Sequence, residues 1–596
     1  MNKPSLFEIL FKKDEQRKIY DNTVKGEFFS RQLSGSITKQ LKKIRSSRPM
    51  KFISALSNLC THVSTRVYGS LLFTFGFIGI LLYLIRLAHD MSIVTPILGA
   101  LLSLISIPLL IHNKTLHEVL SDNEFTDHLF YEIFCMKRHT DTAIAAFPLP
   151  LAIFFGFCLA LLSLIVPLWQ IALFVGVIIC AYVGIESPEF IFLASLFTLP
   201  FVRFIPNGDI WLIGAVAFAL LSFLIKAVMG KRVVYIEQYD IFIGIMLLLV
   251  FISGIFLKGN ESFSGSIRMI VLSVGYILSG NIITNRRLAE RSVNAIIASA
   301  VICSLVSLVQ LVYFAIISNP LTMESANLIL ARQDGIAVFL IAGTALSVGM
   351  IKRSSNHSKN IYVFSAILII LSILLSGEFF ALCAVFLCAP VYYILKNNFR
   401  PGLLLPLLLV LPLAVLLLPN LVLDVLFYLS PSVKTAEDLF ILWENSLGVL
   451  SRNLFLGIGI GSESFAEEMA AIGIFNRPDS SNLFIELGLE AGIFALIAFL
   501  CILLTRMKHR SVQYIYLRNS QIERLSCISG ACMFSLLAFG MVNYIWSEPS
   551  AYYFFWCIFG IGSATLRVAR KDYDDRVVYY EESSAFDSSV IDIEIG

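Results

Sequence analysis

Charged residues are scarce in this chain of 596 residues: Asp, Glu, Lys and Arg together make up only 15%, whereas hydrophobic residues make up 57%. A soluble protein of this length needs a much more charged surface, so the shortage excludes an ordinary soluble domain. The hydrophobic residues form runs of about 17 to 25, each long enough to cross roughly 30 Å of hydrocarbon as a helix. The sequence therefore predicts an all-α, polytopic transmembrane helical bundle.

Several kinds of site are also missing from the sequence. None of the eleven cysteines lies in the polar segment 419–481, so no disulfide can cross-link it. No Asp-x-Asp motif, and no group of His, Asp and Glu with metal-ligand spacing, occurs in the segments expected to face the outside. The stretch LGIGIGS at 456–462 lacks the Lys of a phosphate-binding P-loop. We therefore predict neither a metal site nor a cofactor.

About sixteen membrane spans are predicted, an even number that leaves both chain ends in the cytoplasm. No cleavable signal sequence is expected, because the first apolar run follows 67 largely polar residues. The first of the C-terminal spans is predicted over 482–505, and the tail, with eight acids against two bases, is predicted to be solvated and largely disordered. The predicted parts are a basic cytoplasmic segment 1–67, a transmembrane bundle 68–418, a large extracytoplasmic loop 419–481, C-terminal spans 482–570 and an acidic cytoplasmic tail 571–596.

Lys and Arg are distributed unequally between alternate loops. Residues 1–67 carry fourteen of them against five acids, which indicates a cytoplasmic N-terminus. Counted from there, the cytoplasmic loops carry nineteen Lys and Arg and the opposite short loops about five. This pattern places the loop 419–481 outside. It leaves no basic stripe that could follow a groove, so no nucleic-acid partner is predicted.

Within the large loop, residues 436–450 have helical spacing. Leu439, Trp443, Leu447 and Leu450 recur on one face, and the acidic residues lie elsewhere. The pattern predicts a helix that lies along the outer membrane surface. The glycines at alternate positions of 457–461 follow it, and we expect them to permit turns or tight backbone packing.

In this order, the features of the chain resemble the superfamily of O-antigen ligases and O-antigen polymerases, which are bacterial envelope glycosyltransferases. That family has many helices and a late outer loop that begins with a Trp-bearing helix, here with Trp443. A Gly-x-Gly-x-Gly stretch follows, here 457–461, and then an Asn that begins an apolar helix, here Asn482 in SSNLFIELGLEAGI. Upstream, ARQDGIAVFLIAGTAL resembles the family's Arg-x-x-Gly lead into a helix, with Arg332 and Gly335. Downstream, NYIWSEPSAYYFFWCIFGIGSATLR resembles its closing span.

The resemblance implies a reaction as well as a fold. Such enzymes join sugars carried on undecaprenyl pyrophosphate at the outer face of the bacterial cytoplasmic (inner) membrane, so that an acceptor hydroxyl attacks the anomeric carbon and the lipid pyrophosphate departs. Guanidinium groups suit the developing pyrophosphate anion, and a carboxylate suits the hydroxyl proton. Ligases of the family commonly place a His just before the loop Asn, where this chain has Ser481. The pattern Asp479-x-x-Asn482 favours the polymerase branch.

Seven residues are predicted to form the site. Arg332 and Asp479 are predicted to be catalytic, and Arg268, Trp443, Arg452, Arg477 and Asn482 to bind the substrate. Asp334 and Glu463 are further candidates for the base, and Asp334 could instead pair with Arg332. Structural roles compete with the functional ones: Asp479 and Asn482 could cap the helix that follows. The loop arginines 452 and 477 could simply be solvated.

The predicted function is that of a metal-independent enzyme that polymerises undecaprenyl-pyrophosphate-linked oligosaccharide repeat units into an O-antigen-like, capsular or exopolysaccharide chain. Its predicted partners are this lipid-linked oligosaccharide, membrane lipids and other polysaccharide-assembly proteins. One alternative is a ligase that passes finished glycan to another acceptor. Another is a flippase or other transporter of the lipid-linked saccharide. Transporters usually show an internal repeat and charged residues deep within spans, and the sequence shows neither clearly.

Overall fold

A computed structural model gives the fold of the chain. It describes residues 35–37, 39–41, 43–48, 51, 63–85, 94–111, 114–115, 118, 122, 124–127, 148–162, 182–257, 260–317, 334–351, 356–376, 379–398, 403–410, 412–413, 436–474, 478–517, 520 and 522–591. Over these residues the secondary structure is helical without any strand, and a single isolated β-bridge joins Ser64 and Thr115. The predicted all-α class is confirmed.

The helices divide into an N-terminal and a C-terminal series, separated by a short 3-10 helix at Leu199–Phe204. The first series comprises α1 (Thr65–Ile85), α2 (Val94–Ile111), α3 (Glu124–Asp127), α4 (Leu149–Leu162) and α5 (Pro188–Thr198). The second begins with α6 (Gly208–Val228), α7 (Asp240–Phe256), α8 (Asn260–Ile282), α9 (Arg286–Ile317), α10 (Asp334–Ile351), α11 (Asn356–Ser376), α12 (Phe379–Lys396) and α13 (Leu404–Leu408). It ends with α14 (Ala436–Arg452), α15 (Ser462–Ala471), α16 (Leu483–Ala491), α17 (Ile493–Val512), α18 (Tyr514–Leu517), α19 (Glu523–Phe539) and α20 (Pro549–Ile591).

Many of these helices have the length and composition of membrane spans. Four are long and apolar enough to cross a bilayer: Thr65–Ile85, Gly208–Val228, Ser262–Ile282 and Arg286–Gln310. Six shorter apolar helices accompany them: Pro96–Ile111, Leu149–Leu162, Asp240–Phe256, Ile336–Ile351, Lys359–Leu375 and Phe380–Lys396. The chain therefore has the helices of a membrane protein. The count of sixteen spans and the orientation of the chain stay predictions.

The chain forms two compact units, of which one comprises residues 37–191 and 221–233. In this unit α1 packs against α2 and α4, with Phe75 and Ala160 at the centre of an apolar cluster. The approach of α1 and α2 is close: a Cβ built on Gly76 would lie 2.6 Å from the carbonyl oxygen of Gly99. Small residues at such crossings are the usual means by which apolar helices approach in a bilayer.

A buried ion pair is found in the same unit. Lys226 Nζ lies 2.7 Å from Glu186 Oε2, and only 5% of each side chain is exposed. Arg232 pairs with Glu189 nearby in the sequence. Because an isolated charge is costly to bury, each carboxylate provides the counter-charge that its basic partner requires.

The other unit comprises residues 1–36, 192–220 and 234–596, and its core helix is α20. The first turns of α20 are buried throughout, including Tyr552, Tyr553 and Trp556. Helix α8 packs along it, and α19 packs against α12 and α20. The contact of α8 with α20 is close, because a Cβ added to Gly560 would lie 1.9 Å from Ser279 Oγ.

The predicted span 482–505 is wrong as a single helix. The chain forms α16 and α17 in its place, and the break falls at Gly492, whose φ is +84°. A side chain at this position would be strained by the backbone angle and would also meet Phe455 O at 2.1 Å. With nine residues, α16 is about 14 Å long and too short to cross a bilayer.

The C-terminal tail and the loop helix also differ from their predictions. The tail predicted to be disordered instead continues α20 as far as Ile591, since no Pro or Gly interrupts residues 571–591. The loop helix is confirmed as α14, and its predicted face is buried in part. Leu439 and Leu450 are buried as predicted, whereas Leu447 is 51% exposed, and Leu442 and Val449 are buried in addition.

Candidate functional site

The start of α16 is fixed by Asn482. Its side-chain oxygen accepts hydrogen bonds from the backbone N–H groups of Phe484 (3.0 Å) and Ile485 (3.3 Å). Its side-chain nitrogen donates to the carbonyl oxygen of Met541 at 2.8 Å. Asn482 therefore performs the capping role that competed with sugar binding, and it joins α16 to the chain after α19.

The end of α16 is held by the glycine-rich segment 457–461. The backbone N–H of Ile458 donates to the carbonyl oxygen of Leu489 at 2.6 Å, and a Cβ on Gly457 would lie 2.3 Å from that oxygen. The φ of Gly457 is +78°, a left-handed value that favours glycine. On the other side, the N–H of Ile460 donates to Ser262 Oγ of α8 at 3.0 Å. The prediction that these glycines allow tight backbone packing is confirmed.

Glu490 lies in the last turn of α16 and is 5% exposed. The hydroxyl of Tyr544 donates to its Oε2 at 2.8 Å, and the backbone N–H of Gly461 hydrogen-bonds the same carboxyl group. Arg268 of α8 and Asp479 both lie near enough to act on it electrostatically. Residues from four separate segments of the chain thus converge on one buried carboxyl group.

A second glutamate lies one turn earlier on the same face of α16. Glu486 is 1% exposed, and its Oε2 accepts the backbone N–H of Ser480 at 2.7 Å. Asp479 is half-buried and accepts the backbone N–H of Ser481 at 2.8 Å. We call the five residues Arg268, Asp479, Glu486, Glu490 and Tyr544 the Glu490 cluster.

Burial dominates the protonation equilibria in this cluster. It raises the pKa of Glu490 to about 7, against the opposing effects of the Tyr544 hydrogen bond, the Gly461 N–H and the Arg268 charge. Burial also raises the pKa of Glu486, and the negative charge of Glu490 acts in the same direction. The pKa of Tyr544 is raised well above its ordinary value by burial and then by Glu490, so its hydroxyl keeps its proton and remains a donor.

This arrangement suits proton transfer near neutral pH. A carboxyl group with a pKa of about 7 can take a proton from a hydroxyl and release it again at the pH of the cell. Arg268 supplies a fixed positive charge beside it, since guanidinium stays protonated. Over the described part of the chain, no group of three or more His, Cys, Asp or Glu side chains is placed to hold a metal ion.

The predicted site residues fall into three groups. Arg268, Asp479 and Asn482 lie at or beside the Glu490 cluster. Arg452 and Glu463 are exposed, and Trp443 is half-buried, its ring nitrogen having no hydrogen-bond partner among the described residues. Arg332 and Arg477 lie outside the described residues, and so does the side chain of Asp334.

Sequence reasoning missed three members of the cluster: Glu486, Glu490 and Tyr544. A signal for the glutamates was present, since two acids four residues apart interrupt an otherwise apolar segment, and charges in such segments are usually functional. Tyr544 gave no signal. Its hydrogen bond depends on the return of the 540–548 loop to α16, which no local pattern encodes.

A polar recess of about 380 Å³ lies at the other end of the same loop. It is lined by Arg203, Asn207, Asp209, Glu548 and Ser550, among others. Arg203 Nη1 donates to Glu548 Oε1 at 2.9 Å. Glu548 follows Tyr544 by four residues, so one loop contributes both to this recess and to the Glu490 cluster.

Comparisons of the sequence with protein-family models and with curated proteins give no match. The case for a function therefore depends on the geometry of the Glu490 cluster and on the motifs of the sequence.

Proposed function

We propose that the chain is a glycosyltransferase of the bacterial cytoplasmic membrane that polymerises undecaprenyl-pyrophosphate-linked oligosaccharide repeat units at the outer face. One observation carries the proposal: a buried carboxyl group, Glu490, has a pKa of about 7 and lies beside an arginine, Arg268. A glycosyl transfer from a pyrophosphate carrier needs both a base and a cation, and this cluster combines them.

The reaction forms one bond and breaks another. The oxygen of an acceptor hydroxyl forms a bond to the anomeric carbon of the donor sugar, while the bond from that carbon to the pyrophosphate oxygen breaks. Glu490 takes the hydroxyl proton, and Tyr544, which donates to Glu490 Oε2, holds the carboxylate in position. Arg268, together with Arg332, stabilises the departing lipid pyrophosphate as its negative charge develops.

This assignment moves the base from Asp479 to Glu490. Asp479 is half-buried, and its Oδ1 accepts hydrogen bonds from both the N–H (2.8 Å) and the hydroxyl (3.3 Å) of Ser481. This oxygen is therefore engaged in a local turn and is less available to accept a proton from the substrate. Its negative charge nevertheless helps to raise the pKa of Glu490. Asp479 is therefore a positioning and electrostatic residue in the proposal. The polar recess beside Glu548 would hold part of the acceptor glycan, because hydroxyl-rich ligands need paired polar side chains.

Polymerase activity is favoured over ligase activity because the chain has Ser481 where ligases of the resembling family commonly have His. With Glu490 as the base, no histidine is needed in the loop. A polymerase transfers the glycan to another lipid-linked repeat unit, and a ligase transfers it to a different acceptor. An assay with each acceptor therefore distinguishes the two activities.

A transporter of lipid-linked saccharide is the second candidate, and one observation favours it. Asp240 begins the apolar helix α7 and accepts a hydrogen bond from the hydroxyl of Tyr276 in α8, inside the helical unit. Ionisable residues among membrane helices mark proton or substrate pathways in pumps and transporters. A proton-driven flippase would use such residues.

The test is a reconstituted assay with purified protein in vesicles and an undecaprenyl-pyrophosphate-linked repeat unit. The variants Glu490→Gln and Arg332→Ala are compared with the wild type, and Glu467→Gln, at an exposed acid of α15, is the matched control. A ladder of longer glycans with release of lipid pyrophosphate is expected from the wild type and the control. Both test variants should lose it while they remain folded.

Two outcomes would overturn the proposal. Transfer of finished glycan to an added acceptor without any ladder would establish a ligase. Protein-dependent movement of the lipid-linked saccharide across vesicles, with no new glycosidic bond, would establish a transporter.

A further inference from the structure

Two buried arginines occupy the same face of α17, four residues apart. Arg506 is 7% exposed and Arg510 is 8% exposed. They belong to a segment that the distribution of Lys and Arg predicts to face the cytoplasm, which is the opposite side from the proposed active site. The function of the Glu490 cluster does not account for them.

Arg506 is held by hydroxyl groups and aromatic rings. Its Nη1 donates to the hydroxyl of Tyr239 (3.1 Å) and to Ser563 Oγ (2.5 Å). The guanidinium carbon lies 4.8 Å from the centre of the Phe559 ring, within the range of a cation–π contact. These contacts position the charge, but none of them neutralises it.

Arg510 likewise contacts no carboxylate. Its Nη1 donates to the carbonyl oxygen of Leu395 at 3.1 Å, and its Nη2 donates to Cys527 Sγ at 3.0 Å. Its Nε is buried without a hydrogen-bond partner among the described residues.

Two acids of the neighbourhood have other partners. Glu237 pairs with His509 at 3.4 Å, and Asp240 accepts from Tyr276 and from the backbone N–H of Glu237. Across the described residues, no carboxylate lies within ion-pair distance of Arg506 or Arg510. This contrasts with the first unit, where the buried Lys226 and the half-buried Arg232 each have a glutamate. Two buried positive charges without a counter-charge are costly, so an anion from outside the chain would stabilise them.

Both arginines line a narrow recess between α12, α13, α17 and α19. Its other walls are largely apolar and include Leu395, Leu404, Met507, Met533 and Phe534. Exposed apolar side chains occur elsewhere on the same helices, among them Tyr393 (58%) and Leu504 (56%). A ligand that fits has a negative head and an apolar body.

We propose that this recess binds an anionic phospholipid, with the phosphate of the headgroup at Arg506 and Arg510 and an acyl chain along the apolar walls. Basic pockets between membrane helices on the cytoplasmic side are suited to such headgroups. A small free anion would satisfy the charges but leave the apolar walls without a partner. Guanidinium and phosphate form paired, charge-assisted hydrogen bonds.

The test measures lipid binding by the full-length protein in a neutral detergent. Native mass spectrometry and thermal denaturation are recorded with phosphatidylglycerol, with phosphatidylcholine and with inorganic phosphate. The wild type should retain about one anionic lipid per chain, and phosphatidylglycerol should raise its Tm by on the order of 2 °C. Phosphatidylcholine and inorganic phosphate should leave the Tm unchanged.

Arg510→Gln should lose the retained lipid and the rise in Tm. Lys508→Gln, an exposed cation of the same helix, is the matched control and should keep both. An equal rise with phosphatidylcholine, or a rise that persists in Arg510→Gln, would overturn the proposal. The same rise with inorganic phosphate alone would show that the site binds a free anion and not a lipid. A wild type that retains no anionic lipid and gains no stability from it would refute the proposal even if Arg510→Gln did not fold.

Discussion

The hydroxyl of Tyr544 donates a 2.8 Å hydrogen bond to Glu490 Oε2, and this bond joins the 540–548 loop to the last turn of α16. Both residues are almost fully buried. The bond favours the ionised form of the carboxyl group. It therefore couples the position of the proposed base to its ability to accept a proton.

Glu490→Gln should lower the rate of glycan elongation by roughly 10²- to 10⁴-fold, because the amide cannot accept the hydroxyl proton. The substitution preserves the size of the side chain and an oxygen for the Tyr544 hydrogen bond. Elongation is measured as the growth of the glycan ladder per unit time. Glu467→Gln removes an exposed acid of α15 and should leave the rate within about twofold of the wild type. Equal rates in the two variants would remove Glu490 from the mechanism.

The rate should rise as the pH increases through about 7, since Glu490 acts as a base only after it loses its proton. Burial raises the pKa of Glu490 in the folded state from its ordinary value of 4.5 to about 7. Between these two pH values the folded protein holds the proton that the unfolded chain releases. The contribution of this proton to stability is therefore lost as the pH rises from the lower value through the higher one. Tyr544→Phe removes a hydrogen bond that favours the ionised form. The midpoint of its pH–rate profile should therefore move to higher pH. Tyr393→Phe, at an exposed position, is the control, and an unshifted midpoint in Tyr544→Phe would contradict the assignment.

Arg268→Gln should impair elongation more than Arg452→Gln does. Arg268 acts on the buried Glu490 carboxyl group, whereas Arg452 is exposed at the end of α14. Loss of the Arg268 charge removes an interaction with the departing pyrophosphate and should lower kcat/KM by about 10²-fold or more. The measurement is a comparison of kcat/KM for the lipid-linked donor. Equal effects of the two substitutions would indicate that neither arginine is placed at the pyrophosphate.

Gly457→Ala should destabilise the protein by about 1–3 kcal/mol or more, because a positive φ is strained for alanine and the new Cβ meets Leu489 O. Gly448→Ala is the helical control: its Cβ has open space, so we expect a small gain of about 0.5–1 kcal/mol. Gly473 has a positive φ like Gly457, but a Cβ there would have open space. The loss of stability in Gly473→Ala therefore measures the backbone strain alone, and any larger loss in Gly457→Ala measures the clash with Leu489 O. Thermal denaturation in detergent ranks the three. Equal Tm values for Gly457→Ala and Gly448→Ala would be inconsistent with the close approach.

Breaking the buried ion pair of the first unit should be costly. Glu186→Gln leaves the Lys226 charge buried without its carboxylate and should destabilise the protein by about 3–5 kcal/mol. The double variant Glu186→Gln with Lys226→Met removes both charges and should recover most of that loss. A double-mutant cycle from denaturation curves measures the coupling. Additive effects of the two substitutions would show that the pair contributes no net interaction.

How far the sequence predicted the structure depends on the range of the interactions. The length and apolar composition of segments predicted helices correctly, because helix formation inside a bilayer depends on local composition. The loop helix α14 was found from its period alone. Its buried face differed in part, since Leu442 and Val449 pack with Phe465 and Met469 of α15 and Leu489 of α16, and these partners are distant in sequence.

The site shows the same division. Capping by Asn482 competes in the sequence with its predicted role in substrate binding, and it follows from a local signal, the position before an apolar run. The break at Gly492 was missed, because it depends on the close approach of Phe455, 37 positions earlier in the chain. Asp479 was taken for the base because it precedes Asn482. Burial instead favours Glu490, and burial is a property of the folded chain.

Glycine and isoleucine alternate in 457–461, so this segment can contact α16 and α8 only when its glycines are aligned with the close approaches. Gly457 and Gly459 face backbone or side-chain atoms at less than 3 Å from a built Cβ, while Ile458 and Ile460 donate the backbone hydrogen bonds to Leu489 and Ser262. A slip by one residue would place an isoleucine where only hydrogen fits, whereas a slip by two would restore a glycine. Single-residue deletions or insertions here should therefore abolish the contact with α16 outright.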